Sequence, residues 1–313
     1  MRENRTKKSK KRKKILFSVV AVLLAIIVGV ALYVYFTVNS TLKDIHEPIE
    51  REVSEKRSEK IDLERKDPIS VLLIGTDEIT NEEDKGRTDS LNLITINPNT
   101  KSMKVMSIPR DTRTEMVGIG KEDKITAAHA YGGLDMTLDT VEEFLQVPID
   151  YYVTLNMEGF KDIVDVVGGI TVTNKFAFSN NGHYFAKGKI NLNGEEALAF
   201  SRMRKNDPNP IGDVGRTDRH KQVIQAIAEK GVSIKSVTNF ANILGAIGEN
   251  VRTNLTFDEM LELQKNYTDA RHSIETLKIE GEGEYINERF FYMVSTEEKE
   301  RIAKELRQHL EIQ

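Results

Sequence analysis

The chain has 313 residues, no cysteine and a formal net charge of −4 at pH 7. The lack of cysteine excludes disulfides, thiol nucleophiles and cysteine metal sites, so a hydrophobic core alone must stabilise the fold. Nine basic residues and one acid stand among the first 14 residues, which leaves about −12 for the remainder. An acidic body of this kind argues against nucleic acid as a partner.

A basic tail and a long apolar run open the chain. Residues 1–14 form the tail, and residues 15–36 are apolar apart from Ser18, Gly29 and two tyrosines. A helix of this length covers about 33 Å, which is enough to cross the hydrocarbon of a bilayer. The run is too long for a signal peptide and ends without a small-residue cleavage site, and the positive charge keeps the tail in the cytoplasm. The sequence therefore predicts an uncleaved single-pass anchor over residues 15–38.

Residues 39–66 carry many charges and no apolar stripe, which predicts a partly helical stem between membrane and domain. Residues 67–313 alternate between strand and helix patterns. Strands are predicted at 69–76, 90–97, 102–109, 150–156 and 170–174, with a hairpin at 182–192 and a strand pair at 274–280 and 285–293. Helices are predicted at 134–146, 157–169, 194–200, 214–230, 236–247, 256–266 and 296–310. The class is α/β: one extracellular α-β-α layered domain with a central mixed sheet, preceded by one transmembrane helix.

The first candidate site lies between two predicted strands, in residues 75–90. Asp77 follows the strand at 69–76 and Asp89 precedes the next strand, so both carboxylates are expected at one edge of the sheet. Two carboxylates completed by water and phosphate oxygens suit Mg²⁺. Arg87 lies between them and could neutralise a phosphate. The alternative is an acidic surface loop, because four further acids occupy the same stretch.

Arginines supply the next candidates. Arg110 follows the strand at 102–109, and Arg202 and Arg204 would project to one face of an extended segment. Two guanidiniums on one face match phosphate oxygens, although salt bridges to nearby acids are an equal alternative. Neither a G-x-G-x-x-G motif nor a P-loop is present, which argues against a nucleoside triphosphate ligand.

The last candidate lies at the start of the helix predicted over 214–230. Arg216 and Arg219 stand three residues apart there, and Gln222 lies three residues further along. Side chains at this spacing share a helix face, and the helix N-terminus adds positive potential. The pattern therefore outlines an anion site.

These candidates draw two carboxylates and several arginines from four segments of an acidic chain, which points to a polyanion such as a pyrophosphate. His129 and His220 could act as bases, but a lone histidine is more often structural. The chain has no G-x-S-x-G motif, no H-E-x-x-H motif and no convincing nucleophile. Catalysis would therefore rest on metal and arginine electrostatics at a transferring phosphoryl group.

Eight ordered motifs within residues 67–231 resemble those of the LytR–CpsA–Psr family. They are LLIGTD, GRTDSLNLITINP, MSIPRDT, KITAAHAYGG, YVTLNMEGF, VDVVGGI, LNGEEALAFSRMR and DVGRTDRHKQVI. The basic tail, the single span and the stem fit the same family. Residues 124–133 depart from the family's KINHAYAYGG, because Thr126, Ala127 and His129 replace Asn, His and Tyr, so no role is assigned there.

The resemblance implies a phosphotransferase of cell-wall assembly in Gram-positive bacteria. The donor would be an anionic glycopolymer, expected to be wall teichoic acid, on an undecaprenyl pyrophosphate carrier. The acceptor would be the C6 hydroxyl of N-acetylmuramic acid in peptidoglycan glycan strands, and the new bond a phosphodiester. Mg²⁺ would be the cofactor, with Mn²⁺ as an alternative. The protein would be a single-pass type II protein of the cell membrane, with its N-terminus in the cytoplasm and its catalytic domain outside.

By the same resemblance, Asp77 and Asp89 hold the metal and form the catalytic set together with Arg110. The residues that bind the pyrophosphate would be Arg87, Arg110, Arg202, Arg204, Arg216, Arg219 and Gln222. The polyprenyl tail would occupy an apolar tunnel between the sheet and the helices. Its candidate lining residues, for which ordinary core is an equal alternative, are Phe144, Leu145, Phe160, Ile163 and Val164.

Two other functions stay open at this point. A lipid pyrophosphatase would release lipid phosphate to water without an acceptor. A non-enzymatic sensor or regulator would bind polyprenyl phosphate without turnover and would tolerate the loss of the carboxylates. The 14-residue tail is too short to be a DNA-binding domain, which argues against a transcriptional regulator.

Overall fold

The structure is a computed structural model that describes residues 45–49, 51, 53–76, 88–203, 214–231, 248 and 250–312. The predicted tail and membrane span therefore lie outside the described residues, as do the loop 77–87, the segment 204–213 and the helix predicted at 236–247. Within the described ranges, no helix combines the length and the apolar character that crossing a membrane requires.

The described residues form an α/β fold, as predicted. The α-helices are α1 (Ala127–Leu145), α2 (Met157–Val166), α3 (Gly194–Arg202), α4 (Val214–Gly231), α5 (Phe257–Asn266) and α6 (Thr296–His309), and a 3-10 helix covers Thr268–His272. The strands are β1 (Ile69–Thr76), β2 (Thr88–Asn97), β3 (Ser102–Ile108), β4 (Arg113–Met116), β5 (Lys121–Lys124), β6 (Tyr151–Leu155), β7 (Ile170–Asn174), β8 (Phe178–Asn180), β9 (His183–Phe185), β10 (Gly188–Leu192), β11 (Val251–Thr253), β12 (Ser273–Leu277), β13 (Glu282–Ile286) and β14 (Arg289–Met293).

A six-stranded mixed sheet in the order β11-β6-β1-β2-β3-β12 forms the centre of the fold. β1 pairs antiparallel with β2 and parallel with β6, while β12 joins β3 in parallel and β11 joins β6 antiparallel. The run ISVLLIGT of β1 is almost continuously apolar, which suits an interior strand that is covered on both faces. The central mixed sheet predicted from the sequence is confirmed.

Helices cover both faces of this sheet. The core between the sheet and helices α1 and α6 includes Leu72, Leu93, Met106, Leu138, Phe144, Leu145 and Leu306. The core on the opposite face, where α5 packs, includes Ile69, Val71, Tyr151, Met260 and Leu263. A separate core joins α2, α3 and α4 to strands β7 to β10 and includes Val164, Phe178, Phe185, Phe200 and Val223. The arrangement is α-β-α, with α2, α3 and α4 beside the sheet.

The described part of the predicted stem packs against the domain. Ile45 is 1% exposed and Leu63 is 7% exposed, and His46 forms a parallel bridge with β11. The Arg57 guanidinium donates two hydrogen bonds to the Asp150 carboxylate, at 2.6 and 2.8 Å. The charges of this segment therefore pair with the domain, and its few apolar side chains are too far apart in sequence to form a visible stripe.

The predicted hairpin at 182–192 is wrong in its pairing. A two-residue turn at Asn181 and Gly182, with φ of 47° and 80°, joins β8 to β9, and β10 pairs instead with β7. Positive φ at both central positions gives the turn whose twist matches that of the two strands. The Asn-Gly pair is the sequence signal that marks this turn.

The predicted strand pair at 274–280 and 285–293 is also wrong. β12 joins the central sheet beside β3, and β13 pairs with β14 as a separate hairpin. Asn287 and Glu288 form its two-residue turn, with φ of 49° and 63°. A glutamate at φ above zero is uncommon, so the sequence does not mark this turn clearly.

Candidate functional site

A cavity of about 710 Å³ lies between the central sheet and helices α2, α3 and α4. Its apolar lining residues are Leu73, Ile94, Val153, Leu155, Phe160, Ile163, Leu198, Ile224 and Ile227. Its polar lining residues include Thr76, Asp89, Ser90, Asn92, Asn156, Asn180, Asn181, Ser201, Arg202 and His220. Because both sets line one space, the cavity suits an amphiphile that has an apolar tail and a polar head.

The register of β1 with β2 fixes where the polar residues lie. Gly75 is opposite Ser90, whereas Val71 is opposite Ile94. Ser90 and its neighbour Asp89 therefore lie at the carboxyl end of β1, and Ile94 lies deeper along the sheet. This is the sheet edge at which the sequence predicts a site.

Asp89 and Arg110 meet at this edge. The Arg110 guanidinium donates to the Asp89 carboxylate at 3.4 Å, which is a long contact, and lies 3.9 Å from Asp111. The Asp89 side chain is 46% exposed and the Arg110 side chain is 36% exposed. A loose and half-exposed ion pair leaves both groups able to contact a bound anion or metal.

The same edge offers oxygen atoms to a metal ion. The Thr76 hydroxyl is buried, lines the cavity and has no hydrogen-bond partner among the described residues. In the described ranges, no three His, Asp or Glu side chains group closely enough to hold a metal ion. Mg²⁺ commonly binds through one or two carboxylates completed by water and substrate phosphates. A hydroxyl and one carboxylate at this edge therefore fit a metal that the substrate helps to bind.

The predicted tunnel residues divide into two groups. Phe160 and Ile163 of α2 line the cavity. Val164 turns into the core that α2 shares with α3 and α4, because the next residue of a helix points about 100° away. Phe144 and Leu145 of α1 belong to the core on the other face of the sheet. Val164, Phe144 and Leu145 are therefore ordinary core residues.

Arg202 lines the cavity from the last turn of α3. A capping box of Asn193 and Glu196 begins this helix, which ends with Arg202, and the backbone becomes extended at Met203. The prediction that Arg202 lies in an extended segment is therefore wrong. Its guanidinium lies 3.1 Å from the Met157 sulfur, at the start of α2.

Arg219 of α4 is placed differently from the prediction. Arg219 is 5% exposed, and it is not among the described residues that line the cavity. Its guanidinium donates a hydrogen bond to the carbonyl of Met203 and lies 5.7 Å from the centre of the Phe178 ring. Arg219 therefore joins α4 to Met203, the residue that directly follows Arg202.

His220, for which the sequence favours a structural role, lines the cavity, whereas the predicted Gln222 does not. His220, Ile224 and Ile227 stand at the i, i+4 and i+7 spacing of one helix face. Gln222 lies about 200° around the helix from His220. The two isoleucines supplied the signal that would have identified this face from the sequence.

The remaining predicted site residues are not placed at the cavity. Asp77, Arg87 and Arg204 lie outside the described residues. Arg216 lies in the first turn of α4. The structure thus brings together Asp89, Arg110 and Arg202 of the predicted set.

Fold and site together define a class: an α/β domain with a largely apolar cavity whose polar lining includes the carboxylate of Asp89 and the guanidinium of Arg202. Chains of this kind are described by the LytR_cpsA_psr family. The model of that family matches residues 32–308, and this protein belongs to it.

Comparison with individual proteins agrees with the family. The polyisoprenyl-teichoic acid–peptidoglycan teichoic acid transferase TagU of Bacillus cereus is 49% identical over 306 residues, covering 96% of this chain and 99% of its own. The crystal structure of Bacillus subtilis TagU is 46% identical, with a TM-score of 0.64 over 79% of this chain and 99% of that chain. A structure of TagT bound to LI-WTA is 31% identical, with a TM-score of 0.71 over 85% of this chain and 100% of that chain.

Proposed function

We propose that this protein transfers an anionic glycopolymer, wall teichoic acid, from an undecaprenyl pyrophosphate carrier to peptidoglycan. The acceptor is the C6 hydroxyl of N-acetylmuramic acid, and the product is a phosphodiester. The observation that carries the proposal is a cavity with a largely apolar lining that also includes Asp89 and Arg202. The names of its relatives, which are polyisoprenyl-teichoic acid–peptidoglycan teichoic acid transferases, support the same reaction.

The apolar and the polar parts of the cavity have different proposed roles. Phe160, Ile163 and Ile224 offer apolar surface to the polyprenyl chain, which is removed from water there. Arg110 and Arg202 lie where the pyrophosphate leaves this apolar part, and their charge offsets its negative charge. Arg219 keeps the end of α3 in place through the carbonyl of Met203.

Mg²⁺, or alternatively Mn²⁺, is the proposed cofactor. Asp89 would hold it together with Asp77, the residue that directly follows Thr76 in the sequence. When bound, the ion neutralises phosphate charge and polarises the phosphoryl oxygens. Arg110, which already contacts Asp89, keeps that carboxylate oriented when substrate enters.

The proposed chemistry is one displacement at phosphorus. The acceptor hydroxyl attacks the phosphorus on the polymer side, the bond from that phosphorus to the bridging oxygen breaks, and undecaprenyl phosphate leaves. The hydroxyl proton passes to a carboxylate at this end of the cavity, Asp77 or Asp89. The arginines stabilise the charge that builds on the departing lipid phosphate.

The proposed location is the outer face of the cell membrane. Residues 15–38 would cross the bilayer once, with residues 1–14 in the cytoplasm and the catalytic domain outside. The apolar run and the nine basic residues before it support this orientation. A polyprenyl carrier presents its head group at the same surface.

Transfer by the Asp89→Asn variant tests the proposal. The full-length protein would be incubated with lipid-linked polymer and peptidoglycan oligomers, and polymer-linked peptidoglycan would be counted. We expect a loss of about 100-fold or more with the fold unchanged by circular dichroism. Asp269→Asn is the matched control, because Asp269 is an exposed acid that pairs with Lys101 at the opposite end of the sheet. Undiminished transfer by Asp89→Asn would reject the assignment.

The same assay separates the two competing functions. A pyrophosphatase releases lipid phosphate at equal rates with and without peptidoglycan. A sensor binds the lipid-linked polymer without turnover and tolerates Asp89→Asn. A transferase forms the linked product only when peptidoglycan is present, and loses it when a chelator removes the metal.

A further inference from the structure

The β13–β14 hairpin presents aromatic rings to solvent. Tyr285 is 74% exposed and Phe290 is 37% exposed, although both are large and partly apolar. They stand opposite each other in the strand register, and their ring centres lie 5.5 Å apart at an angle of 68°. Aromatic side chains are enriched at interfaces, so this exposed pair is a candidate interaction site.

Hydrogen bonds join this hairpin to the rim of the cavity. The backbone N–H of Tyr292 donates to the carbonyl of Asp111 at 2.8 Å. Asp111 directly follows Arg110, whose guanidinium contacts Asp89. Arg289, next to the hairpin turn, donates to the Asp123 carboxylate at 2.6 Å. The hairpin is therefore hydrogen-bonded to the residue that follows Arg110, whose guanidinium contacts the cavity residue Asp89.

The contact that holds the hairpin is internal to the protein. Asp123 is 2% exposed and accepts hydrogen bonds from Tyr131 and Arg289. Burial alone would raise the pKa of this carboxyl, but the hydrogen bonds from Tyr131, the Lys124 amide and Arg289 outweigh it and lower the pKa. The carboxylate therefore stays ionised over the ordinary pH range and keeps Arg289 in place.

The rings are also held in orientation. A Cβ on Gly283 would lie 2.6 Å from the Phe290 ring, so the ring lies directly over the glycine backbone. A ring that covers a cross-strand glycine is restricted in its rotation. Phe290 thus lies over the backbone of the ribbon, with the Tyr285 ring beside it at an angle of 68°.

The charge of the hairpin selects among the substrates. Glu282, Glu284 and Glu288 are exposed, while the one arginine of the hairpin is already paired with Asp123. Like charges repel, so a polyanion such as the donor polymer is disfavoured on this surface. A neutral sugar ring offers C–H groups to aromatic faces and hydroxyls to carboxylates, so it is compatible with both features.

We propose that the exposed face of the β13–β14 hairpin binds the acceptor, an N-acetylated glycan strand, by stacking a sugar ring on Tyr285 and Phe290. The inference rests on the proposed function and adds where the acceptor docks. It assigns the donor and the acceptor to different surfaces: the cavity binds the lipid and pyrophosphate, and the hairpin binds the glycan. The glycan would then pass the rim next to Arg110.

Steady-state transfer by the Tyr285→Ser/Phe290→Ser double variant tests this proposal. The full-length protein in detergent would be supplied with peptidoglycan oligomers that lack anionic polymer. We expect the KM for these oligomers to rise about tenfold or more, while the KM for the lipid-linked donor stays unchanged. Tyr184→Ser is the matched control, because Tyr184 is 71% exposed on the separate β8–β9 hairpin. The control is expected to leave both KM values unchanged.

Each outcome of the experiment has one interpretation. An unchanged acceptor KM in the double variant overturns the hairpin proposal and leaves the transferase intact. A raised donor KM, or lost binding to lipid vesicles with an unchanged acceptor KM, also overturns it, because the hairpin would then serve the donor or the membrane. No transfer by the unaltered protein rejects the proposed function itself. Cosedimentation with purified glycan strands, weakened in the double variant alone, supports the proposal independently of turnover.

Discussion

At the scale of the residue, the direction in which a side chain leaves α4 determines whether it lines the cavity. His220 lines the cavity, and Gln222, two residues later, does not. Helix geometry alone separates them, because two residues correspond to about 200° of rotation. A substitution series at adjacent positions can therefore distinguish cavity residues from others on the same helix.

We predict that His220→Ala lowers the kcat/KM of transfer about tenfold or more, whereas Gln222→Ala changes it less than about twofold. The reason is that the imidazole stands in the polar lining with Asp89 and Arg202. Steady-state kinetics of both variants measures the difference. Equal losses would mean that the two positions act through the helix and not through the cavity.

His309 is a buried titratable group at the end of α6, away from the cavity. Its ring nitrogens lie 2.7 Å from the Thr95 hydroxyl and 2.9 Å from the Ser102 hydroxyl. Burial, together with the nearby Lys104 ammonium, lowers the pKa of His309 to about 4 from its ordinary 6.5. The folded protein therefore holds this ring neutral where the unfolded chain would protonate it.

The free energy of unfolding should accordingly fall as the pH falls from about 6.5 towards 4, because the unfolded state binds the additional proton. The His309 contribution reaches up to about 3 kcal/mol at the acidic end. Urea unfolding at several pH values, compared between the unaltered protein and His309→Gln, isolates it. The variant is expected to show the shallower dependence, and parallel curves would refute the assignment.

At the scale of elements, α2 and α3 pack closely together, and both contribute residues to the lining of the cavity. A Cβ on Gly194 would lie 2.4 Å from the carbonyl oxygen of Lys161, so the two helices approach as closely as their backbones allow. α3 carries Leu198 and Arg202 into the cavity, and α2 carries Phe160. A change of this spacing would therefore move both ends of the lining.

Gly194→Ala is predicted to destabilise the protein by about 1–3 kcal/mol and to reduce transfer, because the added methyl group forces α3 away from α2. Glu195→Ala at the next position is the control. Glu195 makes only an exposed ion pair to Lys161, so its loss should cost less than about 1 kcal/mol. Chemical denaturation and the transfer assay measure both variants. If Gly194→Ala were as stable as the unaltered protein, the close approach of α3 to α2 would be contradicted.

The sequence predicts well those elements whose signal is local. The continuous apolar run of β1 identifies a central strand, and the position of Asp89 before β2 places a carboxylate at the edge of the sheet. The end of α3 is not predicted, because nothing in the letters S-R-M-R distinguishes a last helical turn from a strand. The interaction of Arg219 with the Met203 carbonyl, 16 residues away in sequence, is what fixes that end.

Features that depend on long-range contacts could not be read from the sequence. Ile163 and Val164 are equally apolar neighbours, and only the packing of α2 directs one to the cavity and the other to a core. Arg57 pairs with Asp150, which is 93 positions away in the sequence. Because this partner is so distant, the charges of residues 39–66 by themselves predict a solvated stem. The Asn287 and Glu288 turn carries no glycine to mark it.

At the scale of the whole molecule, the segment from residue 45 to residue 66 contributes to the stability of the domain. The Arg57 and Asp150 side chains are 8% and 4% exposed, so their ion pair is buried. Asp150 also accepts hydrogen bonds from the backbone and hydroxyl of Ser70 on β1. The N-terminal segment is thereby tied to the central strand of the sheet.

Arg57→Met should lower the free energy of unfolding by about 3–5 kcal/mol, because it leaves a buried carboxylate without its charged partner. Arg65→Met is the control in the same segment. Arg65 is 58% exposed and pairs with two partly exposed acids, Asp62 and Asp67, so its loss should cost less than about 1 kcal/mol. Thermal and urea unfolding measure both, and equal stabilities would mean that the segment is dispensable for folding.

The packing of Ile45 has a mechanical consequence. Ile45 and Val251 form a cluster with Val153, Leu155 and Ile163, and these last three residues also line the cavity. Six residues, 39–44, lie between the proposed end of the membrane span and Ile45. Ile45 is therefore seven positions from residue 38, and this tether extends at most about 25 Å. In the proposed anchored protein, tension on the tether is therefore carried directly into β6 and α2. Force on the tether would then act on the apolar lining of the cavity, which is the part that we propose binds the polyprenyl chain.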